Sequence, residues 1–418
     1  MDIHLGHVIT PLSGSRELLD LPRGAVTVEQ GRIMSITPWD GTPHPDATIH
    51  DHGECLIIPG FVDTHVHYPQ IGAIAAPGPD LAGWLKHHIY PAEARFADES
   101  LADATAEFFT SQLIANGVTT AAVFATVHPG SVEALFRHAQ RHNLRILSGK
   151  TCMDRNAPEE LLDTPESALA ESALLLDRWH GQGRLEYAIT PRFALSSSPE
   201  QLRNLGELAA AHPEVLVQTH LAENREECEQ VAKLFPDALD YTDVYEQAGL
   251  VHNRSIFAHA LHLSGREVGA LRNRGAAVAH CPSSNFFLGS GVFERNRFQG
   301  IPIGLGSDIG AGTSLCPLAT LRAAHSAARL QGDTLDAAEL LHLATLGGAE
   351  ALGVDKRVGS LEAGKDADLV VLDPESSPIL RHRADQTTNT AELLFAVIML
   401  GDERAVAQTF IADATPLR

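Results

Sequence analysis

The chain has 418 residues, 44% of them hydrophobic, enough for a large core and more than one minimal domain needs. Asp plus Glu (53) outnumber Lys plus Arg (31), and the formal net charge of −22 repels phosphate backbones, which argues against nucleic acid as a partner. No apolar run approaches the roughly 20 residues that span a bilayer, and five scattered cysteines without a CxxC pair fit a reduced compartment, so a soluble, cytoplasmic protein is expected.

Residues 1–58 alternate apolar and polar positions between turns. Gly24-Ala25-Val26-Thr27-Val28 and Gly31-Arg32-Ile33-Met34-Ser35-Ile36 read as short antiparallel strands. The middle of the chain offers eight strand-like runs: 57–65, 118–124, 145–149, 185–190, 215–220, 255–259, 276–280 and 301–306. Amphipathic stretches fall between most of them, such as 101–115, 199–211 and 225–234. Eight βα units predict an α/β fold, a (β/α)8 TIM-like barrel over 59–357, with an open doubly wound sheet as the alternative. The last segment, 358–418, returns to strand character in Ala367-Asp368-Leu369-Val370-Val371-Leu372-Asp373 and Val406-Ala407-Gln408-Thr409-Phe410-Ile411. Both chain ends are expected to join in one small β-sandwich domain.

The chemistry begins at Pro59-Gly60-Phe61-Val62-Asp63-Thr64-His65-Val66-His67. A strand puts residues i and i+2 on one face, so His65 and His67 can share an ion; two histidines on the solvent side of a strand are the plainer alternative. His220 and His259 end two further apolar runs, and Asp308 follows a third. Each alone reads equally well as a capping or hydrogen-bonded core residue. Together they close the first, fifth, sixth and eighth expected strands, whose carboxyl ends converge at one barrel mouth.

With these residues the chain resembles the amidohydrolase superfamily, in its single-metal branch. The stretch Val358-Gly359-Ser360-Leu361-Glu362-Ala363-Gly364-Lys365-Asp366-Ala367-Asp368-Leu369 matches that superfamily's small β domain. The resemblance implies that His65, His67, His220 and Asp308 bind one Zn2+ per chain and that His259 contacts its water. Lys150 lies just past the third strand, but a fourth-strand partner for a bridged second metal is absent, which favours one ion.

Zinc lowers the pKa of bound water towards neutrality, and a carboxylate beside it can take the proton. Asp308 suits that double role. A ring nitrogen of a heteroaromatic substrate also needs a proton, and Glu223, three residues past His220, is the candidate general acid. Its plainer reading is a carboxylate at a helix N-terminus.

Within the superfamily the resemblance is greatest to guanine deaminases. It is carried by His67-Tyr68-Pro69-Gln70, Gly83-Trp84-Leu85, Tyr90-Pro91-Ala92-Glu93-Ala94-Arg95-Phe96, Thr190-Pro191-Arg192-Phe193, His220-Leu221-Ala222-Glu223, His280-Cys281-Pro282-Ser283-Ser284-Asn285 and Gly306-Ser307-Asp308. It implies a purine base as partner, hydrolytic deamination of guanine to xanthine and ammonia, and a homodimer. Gln70, Trp84, Arg192 and Phe193 are the candidate substrate-binding residues. Arg192 offers only donors, which suits the O6 and N7 acceptors of guanine; a structural salt bridge is its alternative. Another aminopurine, a pterin or a chlorinated triazine would use the same metal site. A non-catalytic assembly protein on this scaffold would be expected to have lost ligands, and none of the five is missing.

Overall fold

The computed structural model describes residues 1–15, 17–42 and 44–412; the end of the C-terminal segment, 413–418, lies outside the described residues. Strands β1 (Asp2–Pro11), β2 (Leu18–Glu29), β3 (Arg32–Pro38) and β4 (Thr48–Pro59) come first. β2 pairs antiparallel with β1 and β3, whereas β4 lies parallel to β1.

The chain then enters β5 (Phe61–His67), β6 (Val118–Phe124), β7 (Arg145–Gly149), the short β8 (Thr151–Cys152), β9 (Leu185–Pro191), β10 (Leu216–Leu221), β11 (Ser255–His259), β12 (Ala277–His280) and β13 (Ile303–Leu305). Eight of these run parallel in the order β5-β6-β7-β9-β10-β11-β12-β13, with β8 beside β9. The circle closes where the Asp308 N–H donates to His65 O and the His67 N–H to Ile309 O, both at 2.9 Å. That closure rules out the open sheet. Small and branched side chains fill the lumen, among them Val62, Ala122, Leu147, Ala188, Leu216, Ile256 and Ala277. Larger ones such as Phe109, Phe136, Leu205 and Phe257 pack between strands and helices.

β14 (Leu369–Leu372) and β15 (Val406–Phe410) return to the first sheet, in the order β15-β14-β4-β1-β2-β3. Val26, Val28 and Ile33 from one end of that sheet share a buried cluster with Val371 and Phe410 from the other, so it curls over its own core.

The first barrel strand is shifted from expectation. The apolar run 57–65 is divided at Gly60: Leu56–Pro59 pair with β14, and the barrel strand starts at Phe61. A Cβ at Gly60 would lie 2.1 Å from Thr119 Oγ1, so only glycine lets the chain cross from sheet to barrel there. Hydrophobicity does not change at this crossing, because both sides are buried. The run 301–306 is likewise trimmed to β13, while Pro199–Ala211 and Arg225–Leu234 are helices as expected. Ser198 caps the first of these, and a reciprocal Asn224–Glu227 capping box starts the second.

The barrel's lower end is tied to the first sheet by buried ion pairs. Arg184 Nη1 donates to Asp368 Oδ1 (2.9 Å), and Arg145 Nη2 to Asp366 Oδ2 (2.8 Å). These two aspartates are the polar positions of the C-terminal motif, which explains their place in an otherwise apolar strand entry.

Candidate active site

Along β10, Val217 and Leu221 face the helices and Leu216 faces the lumen. Strand alternation therefore aims His220 inward at the mouth. A register irregularity between Asp63 and Val66 in β5 lets Val62, His65 and His67 share the inner face. His259 follows a different rule: Phe257, two residues earlier, points outward. A positive φ of 70° at His259 breaks the alternation. Ala222, Ala260 and Asp308 also hold positive φ (50°, 51° and 49°). Each such residue costs about 1–3 kcal/mol, which the packed mouth sustains to re-aim the side chains.

The geometry is compact. His67 Nε2 lies 3.2 Å from both His65 Nε2 and His220 Nε2. Asp308 Oδ1 is 3.3 Å from His65 Nε2 and 3.4 Å from His67 Nε2. Ligand bonds of about 2.0–2.1 Å to a zinc ion would put neighbouring ligand atoms about 2.9–3.4 Å apart, the spacing found between these pairs. Hydrogen bonding alone does not account for this cluster, since one imidazole nitrogen carries at most one proton and His67 Nε2 faces three partners. His220 Nδ1 donates to Arg192 O (2.6 Å), which leaves its Nε2 lone pair directed inward. Burial, then the neighbouring imidazoles, lowers the pKa of His67 and His220, keeping both neutral. Burial opposes charge on Asp308, yet His65, His259 and His67 hold its pKa far below the carboxylate range. Three neutral imidazoles and one carboxylate fit a divalent cation such as zinc.

Cys281 falls within ligand reach of His65, His259 and Asp308. Burial, then Asp308, pushes its thiol pKa up, and Sγ donates to Ala279 O, so it stays protonated. Lys150 is bound elsewhere, to Asp163 at 2.6 Å and Glu171 at 3.2 Å.

Glu223 is buried beside this cluster. Its Oε1 accepts from Ser290 Oγ (3.1 Å), and Oε2 lies 3.6 Å from His259 Nε2. Burial raises its pKa to about 7, against the opposing effect of His259. His259 donates from Nδ1 to Asn285 Oδ1 (2.9 Å); burial opposes its charge, but Glu223 and Asp308 raise its pKa overall.

A narrow pocket stands over these groups. Gln70, Arg192, Glu223, His259 and Asp308 provide polar walls, and Leu81, Trp84, Leu85, Phe193 and Leu288 the apolar ones. Trp84 contributes only its ring, because its Nε1 donates to Ala76 O (3.0 Å). For Arg192 the salt-bridge reading holds in part: Nη1 donates to buried Glu93 Oε2 at 2.6 Å. Arg192 still lines the pocket.

The family model for the amidohydrolase family matches residues 56–414. The chain belongs to the amidohydrolase family. Escherichia coli (strain K12) guanine deaminase is 44% identical over 393 residues, covering 93% of this chain and 90% of that protein. Among solved structures, the E. coli guanine deaminase superposes with a TM-score of 0.97 at 40% identity, covering 100% of this chain and 99% of the other. Guanine deaminase from C. acetobutylicum, solved with guanine bound in its active site, gives 0.91 at 28% identity and covers 100% of both chains. Among the amidohydrolase side chains gathered here, sequence reasoning gave no role to Glu93, Asn285 or Ser290. Glu93 had one signal: it stands three residues after Tyr90, on one helical face, in a segment already singled out.

Proposed function

We propose that this amidohydrolase hydrolyses guanine to xanthine and ammonia. One observation carries the reading: a pocket lined by Gln70 and Arg192, both hydrogen-bond donors, also holds buried His67, His220 and Glu223, with Asp308 against His65 and His67. Guanine offers two acceptors, O6 and N7, to such donors, and adenine replaces one with a donor.

In this reading His65, His67, His220 and Asp308 hold one zinc ion, which lowers the pKa of water to near neutrality when bound. Water adds to C2, and the bond from C2 to the exocyclic nitrogen breaks. Glu223 delivers a proton to N3, for which a pKa of about 7 is well matched. Asp308 takes one proton from the water and passes it to the departing amine, and Glu223 regains its proton from the C2 hydroxyl as that becomes the carbonyl of xanthine. His259, oriented by Asn285, steadies the water and the charge that develops at C2. Phe193 and Trp84 cover the apolar faces of the base.

Support comes from the guanine deaminases of similar sequence and from the guanine-bound neighbour. The same reading takes the protein to be a cytoplasmic homodimer, in keeping with five free cysteines. Light scattering on the purified protein tests the dimer. The activity is tested by supplying guanine to metal-replete enzyme and measuring xanthine and ammonia together; neither product forming would overturn it.

A further inference from the structure

We infer that Glu93 is the positioning residue that sets the hydrogen-bond polarity of the substrate pocket, and through it selectivity for a purine carrying an oxygen at C6. The inference rests on the guanine reading above. Glu93 sits on the short helix Tyr90–Ala94 and is buried, but it does not line the pocket. Its two oxygens are divided between two residues that do. Oε1 accepts from Gln70 Nε2 at 2.9 Å, and Oε2 accepts from Arg192 Nη1 at 2.6 Å.

The chain of bonds has a direction. The Gly310 N–H donates to Gln70 Oε1 at 3.0 Å, Gln70 donates onward to Glu93, and Arg192 donates to Glu93 from the other side. A backbone N–H can only donate, and a carboxylate can only accept. With those two groups at its ends, the Gln70 amide has one orientation that satisfies both. Its oxygen is turned to Gly310 and its nitrogen to Glu93. These bonds leave unused the second Nε2 hydrogen of Gln70 and the other guanidinium hydrogens of Arg192, all donors, against a single remaining lone pair on Gln70 Oε1. The Tyr90 ring, 5.6 Å beneath the guanidinium and on the same helix as Glu93, helps hold Arg192 in place. An amide at position 93 would set a donor against a donor, and Gln70 could relieve this only by presenting its own nitrogen to Gly310. The acceptor-only side chain is therefore what makes the pocket a reader of acceptors.

The test compares guanine with 2-aminopurine, which carries the same C2 amino group and has no O6. Steady-state kcat/KM and metal content are measured for wild type, Glu93→Ala, Glu93→Gln and Glu93→Asp. A hydrogen bond to a charged group corresponds to about 10- to 100-fold in rate. Glu93→Ala and Glu93→Gln should each lower kcat/KM for guanine by about that factor more than for 2-aminopurine, with metal retained. Glu93→Asp, still an acceptor, should recover part of the preference. A general loss of folded enzyme would lower both substrates together, and that equal loss overturns the inference, as does an unchanged preference in Glu93→Gln. A wild type that turns over both bases equally also overturns it while leaving the deaminase reading intact. A wild type inactive on guanine removes both.

Discussion

Replacing Glu223 with Gln keeps the shape of the side chain and removes its proton. Wild-type Glu223 is buried, with Ser290 Oγ on one oxygen and His259 3.6 Å from the other. Burial moves its pKa from 4.5 to about 7. At pH 7 the acid form therefore rises from roughly 0.3% to about half, on the order of a 150-fold gain in the species that can donate. General acid–base groups supply about 10²–10⁴-fold in rate, or ~3–5 kcal/mol of barrier. The Gln variant should lose turnover in that range while binding metal like wild type. Xanthine formation by ultraviolet absorbance, with metal measured on the same sample, is the assay. The pH profile adds a second arm. Because the folded pKa is raised, the donating form is present below about 7 and is lost as pH rises through that value. Wild-type turnover should fall on the alkaline side, and the residual rate of the variant should lack that limb. Near-normal rates in metal-replete Glu223→Gln would refute the role.

Three further outcomes follow from the same geometry. Elemental analysis should find one tightly held divalent ion per chain, absent in His220→Ala; two ions per fully active chain would refute the single-metal arrangement. Arg192→Ala should cut guanine turnover, retain metal and lower stability by about 3–5 kcal/mol, because it strands the Glu93 carboxylate in the interior; thermal melts beside kinetics check both parts. Arg184→Ala should destabilise the fold by a similar ~3–5 kcal/mol while the metal-replete enzyme keeps its kcat, since Arg184 pairs with Asp368 at the far end of the barrel.

The barrel was legible because its strands are buried on both faces and read as apolar runs, each closed by a polar residue. The candidate site residues stood out for the same reason: His65, His67, His220 and His259 interrupt or end such runs. Three features escaped. The switch from sheet to barrel at Gly60 leaves no mark in hydrophobicity, since Ile57, Ile58 and Phe61 are all buried. The inward turn of His259 depends on a positive φ that strand periodicity does not encode. Glu93 escaped for another reason: it pairs with Arg192 across 99 positions of chain, and a lone Glu in a short helix reads as solvent-facing until its partner is known. Sequence offered both roles for Arg192, base reader and salt bridge, and the fold gives one of its nitrogens to the bridge while the residue lines the pocket.

The most direct measurement of the central claim is a panel of guanine, adenine, guanosine, a pterin and a chlorinated triazine, each offered to metal-replete enzyme and followed by ultraviolet absorbance with ammonia or chloride release. Sites built on hydrogen-bond matching discriminate by up to roughly 10⁴–10⁵-fold, and the donor wall of Gln70 and Arg192 is such a site. The account predicts that guanine is converted to xanthine with one ammonia released for each, that adenine reacts poorly, and that guanosine reacts poorly if its ribose does not fit beneath the loop that starts at Tyr68. Adenine turning over as fast as guanine, or the triazine outpacing every purine, would contradict it.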